Sequence, residues 1–186
     1  MRMKYKIGYA MGDLGISISY FAVGFFFIYY LTDIVGLDPV LAGLAFFLGK
    51  LWDGVNDPIM GVLSDRTRSR YGRKRVYVLF GAAPLAVSFM LLWSIPVDAN
   101  QWIQFLLATG AITLFATAYS VVVVPYMSLV PVMTRDYDER TQITGLRAIL
   151  STFGTIAGGG TAMLLSSFAD EVIGTRLSVV RVFRKA

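Results

Sequence analysis

Cysteine and histidine are both absent from the 186 residues of the chain. A chain without cysteine has no disulfide framework, no thiol nucleophile and no thiolate metal site. A chain without histidine lacks the side chain that most often acts as a general base or metal ligand. These absences remove most of the chemistry of soluble enzymes, so the sequence predicts neither an enzymatic activity nor a bound cofactor.

Charged residues are also scarce. They make up 16% of the chain, against roughly a quarter in a typical soluble domain, while 56% of the residues are hydrophobic. The mean hydropathy is +0.63. Because the apolar residues come in long blocks and are not scattered, the composition predicts an integral membrane protein whose main contact is the lipid bilayer.

Five apolar blocks are long enough to cross a bilayer, which takes about 20 residues in a helix. Their runs are continuous and do not alternate, which favours helices over the strands of a barrel. We therefore predict an all-α membrane protein in which residues 1–169 form one transmembrane helix bundle. The predicted spans are residues 9–32, 40–63, 76–95, 101–130 and 143–169.

The basic residues predict the orientation of these spans. Arg2, Lys4 and Lys6 precede the first span, whereas the turns at 32–39 and 96–101 contain no lysine or arginine. Because cytoplasmic loops are rich in these residues, we expect the N-terminus to lie on the cytoplasmic side. We expect the membrane to be the cell membrane. Topology, and not nucleic-acid binding, then accounts for the net charge of +5. The basic residues that follow the second and fourth spans are Arg66, Arg68, Arg70, Arg73, Lys74, Arg75, Arg135 and Arg140.

Residues 170–186 depart from this pattern. They do not continue an apolar span, and they place Arg176, Arg181, Arg184 and Lys185 on what should be the outer side. We expect this atypical basic tail to come from a truncated or out-of-frame end. The alternatives are a short outer segment, or a fifth helix that does not cross the membrane.

Two carboxylates lie inside the second span, in the stretch KLWDGVNDP. An ionisable residue at the centre of a membrane costs about 3 kcal/mol on insertion scales, so it is expected to have a function. Asp53 and Asp57 are four residues apart and share a helix face, and we place Asn56 on the same side. Their oxygens suit a small cation such as sodium, or a proton shared between two acids.

An ion-pair network is the alternative reading of this cluster. Lys50 precedes Asp53 by three residues, and Arg147 opens the fifth span and can reach the same interior. These two cations would then neutralise the two acids and hold the helices together. The two readings are compatible if the arginine competes with a bound cation.

The loop after the second span, GVLSDRTRSRYGRKR at 61–75, is the second candidate motif. A basic loop at this place is attracted to anionic lipid in any case. The spacing of its glycines, acid and bases is nevertheless one that a generic basic loop would rarely produce. The residues concerned are Gly61, Asp65, Arg66, Gly72, Arg73 and Lys74.

Three stretches together resemble the glycoside–pentoside–hexuronide:cation symporters, a branch of the major facilitator superfamily. They are WDGVNDPIMGVLSDRTRSRYGRKR, YYLTDIVGL, and VPYMSLVP followed by RDYDERTQ. The likeness runs from about residue 5 to about residue 168 in the same order. It implies a fold of about twelve helices in two halves that rock around a midplane site, of which this chain is part of the N-terminal half.

The resemblance also implies roles for single residues. Asp53, Asn56 and Asp57 match the family's cation site, and Ser120 falls where a hydroxyl helps that site. Arg147 matches an arginine near the cation and solute sites. The residues singled out in the 61–75 loop match a conformational latch at the inner face.

The sequence departs from the family at the positions with which its galactoside carriers bind the sugar. Ile16 and Ser17 stand in place of a Lys–Asp pair, Val123 in place of an aspartate and Met127 in place of a tryptophan. A sugar held by carboxylates would lose those acceptors. Either the solute differs, or another surface of the first helix recognises it. That surface would include Asp13, Ser17, Ser19 and Tyr20, with Ser17, Tyr20 and Arg147 as the candidate solute contacts.

The sequence thus predicts cation-coupled symport, driven by sodium or protons, of a sugar, a glycoside or a related small solute. The alternative is a truncated, non-transporting remnant, or a half-transporter that needs a second polypeptide to supply the missing C-terminal half. An intramembrane enzyme is disfavoured because the chain offers no paired nucleophile and base.

Overall fold

A computed structural model describes residues 3–70, 72–134 and 136–159. All the regular structure in these ranges is helical, which confirms the all-α prediction. Residues 170–186, the predicted basic tail, and residues 160–169 of the fifth predicted span lie outside the described part. The helices are α1 (Met3–Tyr29), α2 (Pro39–Arg66), α3 (Arg75–Leu92), α4 (Gln101–Met127), the short α5 (Val130–Met133) and α6 (137–159).

Polar caps in the turns set where these helices begin. Asp38 accepts a hydrogen bond from the backbone N–H of Val40 at 2.9 Å, with Pro39 at the first helical position of α2. Asn100 caps α4 in the same way, through the N–H of Trp102 at 3.0 Å. The fifth predicted span was expected to begin at residue 143, but the corresponding helix, α6, begins at residue 137. Its earlier start fits the bond of 2.9 Å from the N–H of Asp138 to the Asp136 carboxylate.

Within the described ranges, three helical stretches are long and apolar enough to cross a membrane: Lys6–Ile34, Arg75–Leu92 and Gln101–Met133. The first of these joins α1 to a π-helical turn at Tyr30–Ile34. Many large apolar side chains on these stretches are exposed, including Phe25 and Leu106, as expected for surfaces that face lipid. α2 has 28 residues, but its middle carries the charged cluster. The chain is an integral membrane protein.

α4 lies at the centre of the bundle and packs against α2 and α3. Small residues bring the backbones close. A Cβ atom added to Gly49 of α2 would lie 2.7 Å from Ile112 of α4, and one added to Gly81 of α3 would lie 2.7 Å from Val122. Close approach at small residues is the usual basis of helix packing in lipid. The buried apolar cluster comprises Val23, Phe27, Leu31, Val35, Leu37, Ala42, Ala45, Leu92, Ile95, Ala108, Ile112 and Phe115.

α6 packs along α1 through glycine as well. A Cβ atom on Gly154 would lie 2.8 Å from the carbonyl oxygen of Leu14, and one on Gly158 would lie 3.5 Å from the Cα of Ile18. Gly154 and Gly158 therefore serve helix packing. This contact positions the beginning of α6 beside the first half of α1, where two charged residues meet.

We expect Gly49→Val to destabilise the bundle. The added side chain meets the branched Ile112, and overpacking of this kind typically costs about 1–3 kcal/mol. The measurement is the thermal unfolding midpoint of the purified protein in detergent. Gly43→Val, in the same helix but with no atom within 4 Å of an added Cβ, is the matched control and should leave the midpoint nearly unchanged. Equal midpoints for the two variants would contradict this description of the α2–α4 contact.

Candidate functional site

Asp53 lies in the middle of α2 and is only loosely held. Its Oδ2 atom is 3.4 Å from Lys50 Nζ, and its Oδ1 atom is 3.4 Å from Ser120 Oγ on α4. The buried Ser120 hydroxyl has a closer acceptor, the carbonyl oxygen of Ala116 at 3.0 Å. Charge-assisted hydrogen bonds are usually near 2.7–2.9 Å. Both oxygens of Asp53 therefore have a neighbour, but neither has a close one among the residues that the structure describes.

Lys50 also contacts Tyr20 of α1. Its Nζ atom is 3.4 Å from the Tyr20 hydroxyl and 4.5 Å from the centroid of the ring, within the range of a cation–π contact. The Tyr20 ring in turn lies 5.4 Å from that of Tyr119. Lys50, Asp53, Tyr20 and Tyr119 line a small cavity of about 20 Å³, the size of one water molecule.

The other two predicted ligands lie on different sides of α2. Asn56 is 6% exposed, and its Nδ2 atom has no hydrogen-bond partner among the described residues. Asp57 is exposed. The structure therefore separates Asn56 from Asp57, contrary to the expectation that they share a side, because consecutive residues of a helix point about 100° apart. Asp53 and Ser120 are the two predicted ligands that the fold brings together.

Arg147 pairs with Asp13, not with the acids of α2. Two of its guanidinium nitrogens donate to the carboxylate, Nη2 to Oδ1 at 3.1 Å and Nε to Oδ2. The two side chains are 14% and 6% exposed. The guanidinium also lies 5.7 Å from the ring centroid of Tyr9 and 5.1 Å from that of Tyr126. The alternative reading, an ion-pair network, had Lys50 and Arg147 neutralise the α2 acids; Lys50 does contact Asp53, whereas Arg147 is engaged by Asp13.

The two tyrosines beside this pair bind each other. The Tyr9 hydroxyl donates to the Tyr126 carbonyl at 2.6 Å, and the Tyr126 hydroxyl donates to the Tyr9 carbonyl at 2.7 Å. Their rings stack with centroids 4.5 Å apart. Gly12 leaves room for this arrangement, since a Cβ atom there would lie 2.9 Å from the Tyr126 ring. Sequence reasoning missed this contact; the only signal was Asp13, an ionisable residue within a span.

The three predicted solute contacts have different surroundings. Tyr20 is 47% exposed beside the Lys50–Asp53 pair. The Ser17 hydroxyl lies 2.7 Å from that of Ser151, so it joins α1 to α6. The guanidinium of Arg147 is engaged by Asp13.

The predicted latch is partly assembled around Asp65. The carboxylate of this residue lies 3.1 Å from Lys74 Nζ, and its carbonyl accepts a bond from the Arg73 guanidinium. Gly72 makes the turn with φ = +98°, a conformation that favours glycine. Lys74 Nζ also lies 3.4 Å from the carbonyl of Ser128 at the end of α4. The loop therefore ties the end of α2 to the end of α4.

The remaining latch residues contribute less. A Cβ atom on Gly61 would make an ordinary contact of 3.9 Å with Val124, and Arg66 is exposed at the end of α2. Another ionic contact, which the sequence did not reveal, involves the buried Lys6. Its Nζ atom lies 3.3 Å from Glu139 and 2.9 Å from Gln142, which joins the start of α1 to the start of α6.

These features define a helical membrane protein with ion pairs inside its bundle. The model of the family described as MFS/sugar transport protein matches residues 8–181. The chain belongs to this family of major-facilitator sugar and cation symporters, which confirms the resemblance found in the sequence. Its members are transporters and not enzymes.

Individual relatives agree with this assignment. The inner membrane symporter YicJ of Escherichia coli is 37% identical over 83% of this chain, and the putative glycoside/cation symporter YagG of the same organism is 34% identical over 94%. The sodium-dependent lysophosphatidylcholine symporter 1 of Gallus gallus is 30% identical over 82%. These matches cover 33%, 38% and 29% of the respective relatives, so the chain spans about a third of their length.

We expect Arg147→Met to destabilise the protein strongly, because it leaves the Asp13 carboxylate buried without its partner. Breaking a buried pair from one side typically costs about 3–5 kcal/mol. The double variant Asp13→Leu/Arg147→Met removes both charges and should recover most of the loss. Unfolding midpoints in detergent test both statements. A single variant as stable as the unmodified protein would show that the pair contributes nothing to the fold.

Proposed function

We propose that the protein is a cation-coupled secondary transporter of a sugar, a glycoside or a related small solute. The observation that carries this proposal is the loosely held carboxylate of Asp53 within the bundle. A carboxylate inside a membrane protein needs a positive partner, and long contacts leave it able to exchange that partner. Membership of a symporter family supports the same conclusion.

Asp53 and Ser120 are the first proposed ligands of the coupling cation, since they face each other between α2 and α4. Asn56 and Asp57 follow about one turn further along α2 and are proposed to join the site when the helix or its neighbours shift. The ligands are oxygens, which suits sodium; a proton on Asp53 would neutralise the same charge. No covalent step is involved.

Coupling requires that the cation and the solute favour the same conformation, so that each raises the affinity for the other. Tyr20 connects the two in this proposal, because it is exposed beside Asp53. Ser17 and Arg147 are further proposed contacts, which need α1 and α6 to loosen. One relative is named for a glycoside and another for lysophosphatidylcholine, so membership of the family does not fix the solute. A sugar-like solute is therefore our proposal.

The latch is proposed to lie at the cytoplasmic face, together with the N-terminus, and to stabilise one conformation of the transport cycle. Its bonds between the ends of α2 and α4 support this role. Because the chain spans about a third of its relatives, transport is proposed for the protein with the remaining helices present. A second polypeptide supplying those helices would satisfy the same requirement.

Replacing the proposed cation ligands should abolish coupling. We expect Asp53→Asn and Asp57→Ala each to lose the stimulation of solute uptake by sodium or by a proton gradient, an effect that amounts to roughly 5- to 150-fold for typical coupling energies. Uptake into proteoliposomes containing the assembled transporter is the measurement. Asp98→Asn, a charge change in the 96–101 turn, is the control. Unchanged stimulation in Asp53→Asn would refute the cation site.

The solute preference should exclude galactosides, because Ile16, Ser17 and Val123 offer no carboxylate to the sugar hydroxyls. Loss of such acceptors typically lowers the specificity constant by several orders of magnitude. Uptake of a galactoside should therefore be near background in a panel that also contains other glycosides, pentosides and uronates. Robust galactoside uptake would contradict the inferred role of these positions.

A further inference from the structure

Lys50 stands where the proposed cation site meets the exposed surface of α1. Its Nζ atom is 3.4 Å from Asp53 Oδ2 and 3.4 Å from the Tyr20 hydroxyl. The nitrogen also lies 4.5 Å from the centroid of the Tyr20 ring. One ammonium thus touches a carboxylate proposed to bind a cation and an aromatic side chain proposed to contact solute.

We propose that Lys50 is a built-in competitor of the coupling cation. Its ammonium neutralises Asp53 when no cation is bound, and it withdraws onto Tyr20 when a cation takes that place. The inference rests on the proposed function, because it assumes that a cation binds at Asp53. It adds a residue that regulates the site and connects it to the solute.

The contacts of Lys50 are of a kind that can be exchanged. The ammonium–carboxylate distance of 3.4 Å is long, and the Lys50 side chain is 38% exposed. Asp13, by contrast, is engaged by two nitrogens of one planar guanidinium, with both side chains largely buried. A lysine is a point charge on a flexible stem, whereas an arginine holds a carboxylate in a fixed geometry. Of Asp13 and Asp53, Asp53 is therefore the one built to change partners.

The space beside Asp53 makes the competition direct. The cavity beside Asp53 measures about 20 Å³, which is room for one ion or molecule the size of water. It is lined by Lys50, Asp53, Tyr20 and Tyr119. A cation there would lie next to the Lys50 ammonium and repel it. The face of the Tyr20 ring attracts an ammonium and already contacts this one, so it is the nearest place for the displaced charge.

This exchange gives the site a link to solute. Tyr20 is 47% exposed, and the position of the Lys50 charge alters the electrostatic potential at its exposed surface. Occupancy of Asp53 would thus change recognition at Tyr20, and a solute that binds the Tyr20 surface would by reciprocity change the affinity for the cation.

Sodium binding to the purified chain in lipid nanodiscs tests the proposal without any transport assay. Isothermal titration with sodium chloride is run at constant ionic strength with choline chloride as the balancing salt. Lys50→Met removes the competing charge at similar length, and the Kd for sodium should fall roughly 2- to 5-fold. Lys50→Arg keeps the positive charge and is the matched control; because an arginine holds a carboxylate in a fixed geometry, its Kd for sodium should be no lower than that of the unmodified chain.

Lys50→Gln provides a second neutral variant, and the unfolding midpoint of each variant shows that it is folded. Sodium binding that appears only in the neutral variants would support the proposal in its strongest form. A Kd unchanged in both Lys50→Met and Lys50→Gln would overturn it.

Asp53→Asn separates this inference from the proposed function. If Asp53→Asn loses sodium binding while the neutral Lys50 variants keep the original Kd, the cation site stands and the competitor is refuted. If Asp53→Asn binds sodium as well as the unmodified chain does, the cation site itself is wrong. Absence of binding in the unmodified chain and in both neutral variants would overturn both proposals.

Discussion

A charge within the hydrocarbon layer must be neutralised by a partner, and this constraint shapes the interior of the bundle. The protein meets it in two ways. Asp13 and Arg147 form a two-point ion pair that is buried and flanked by stacked tyrosines. Asp53 and Lys50 form a single long contact that is partly exposed. The first arrangement holds α1 to α6, and the second leaves a carboxylate that can accept another cation.

A glycine that packs against a neighbouring helix lies close to each of these pairs. Gly154 lies two helical turns beyond Arg147 on α6 and rests on Leu14, the neighbour of Asp13. Gly49 precedes Lys50 directly and rests on Ile112 of α4. In each case the missing side chain lets two helices approach. Between α1 and α6 this approach brings Arg147 within reach of Asp13. Between α2 and α4 it brings Ser120 within reach of Asp53, whereas Lys50 and Asp53 lie on the same helix. Packing and electrostatics are therefore not separate contributions here.

Much of the fold could be predicted from the sequence, because long apolar blocks and basic turns are strong signals. The helices α1 to α4 follow the first four predicted blocks in order. The polar cluster on α2 was also evident, since charges within an apolar run stand out. The pairing of these charges was not predictable. Arg147 reaches Asp13 and not Asp53 because of how α6 lies against α1, and a sequence does not contain that relation between distant helices.

The side of α2 on which each polar residue lies was likewise underdetermined. Asn56 and Asp57 are adjacent, and a pattern of polar residues alone does not say which one is buried. The mutual bonds of Tyr9 and Tyr126 were invisible for a related reason. Aromatic residues are common in membrane spans, so two of them at distant positions give no sign that they meet.

The buried amide of Gln104 has a mechanical consequence. Its Nε2 atom lies 3.3 Å from the carbonyl of Val35 beyond α1, and 2.9 Å from that of Val97 beyond α3. The opposite end of α4 is tied by Lys74 to the carbonyl of Ser128. A bundle braced at both ends of its central helix resists shear between its own members. In a large conformational change these helices would move together as one rigid unit, and the hinge would lie outside them.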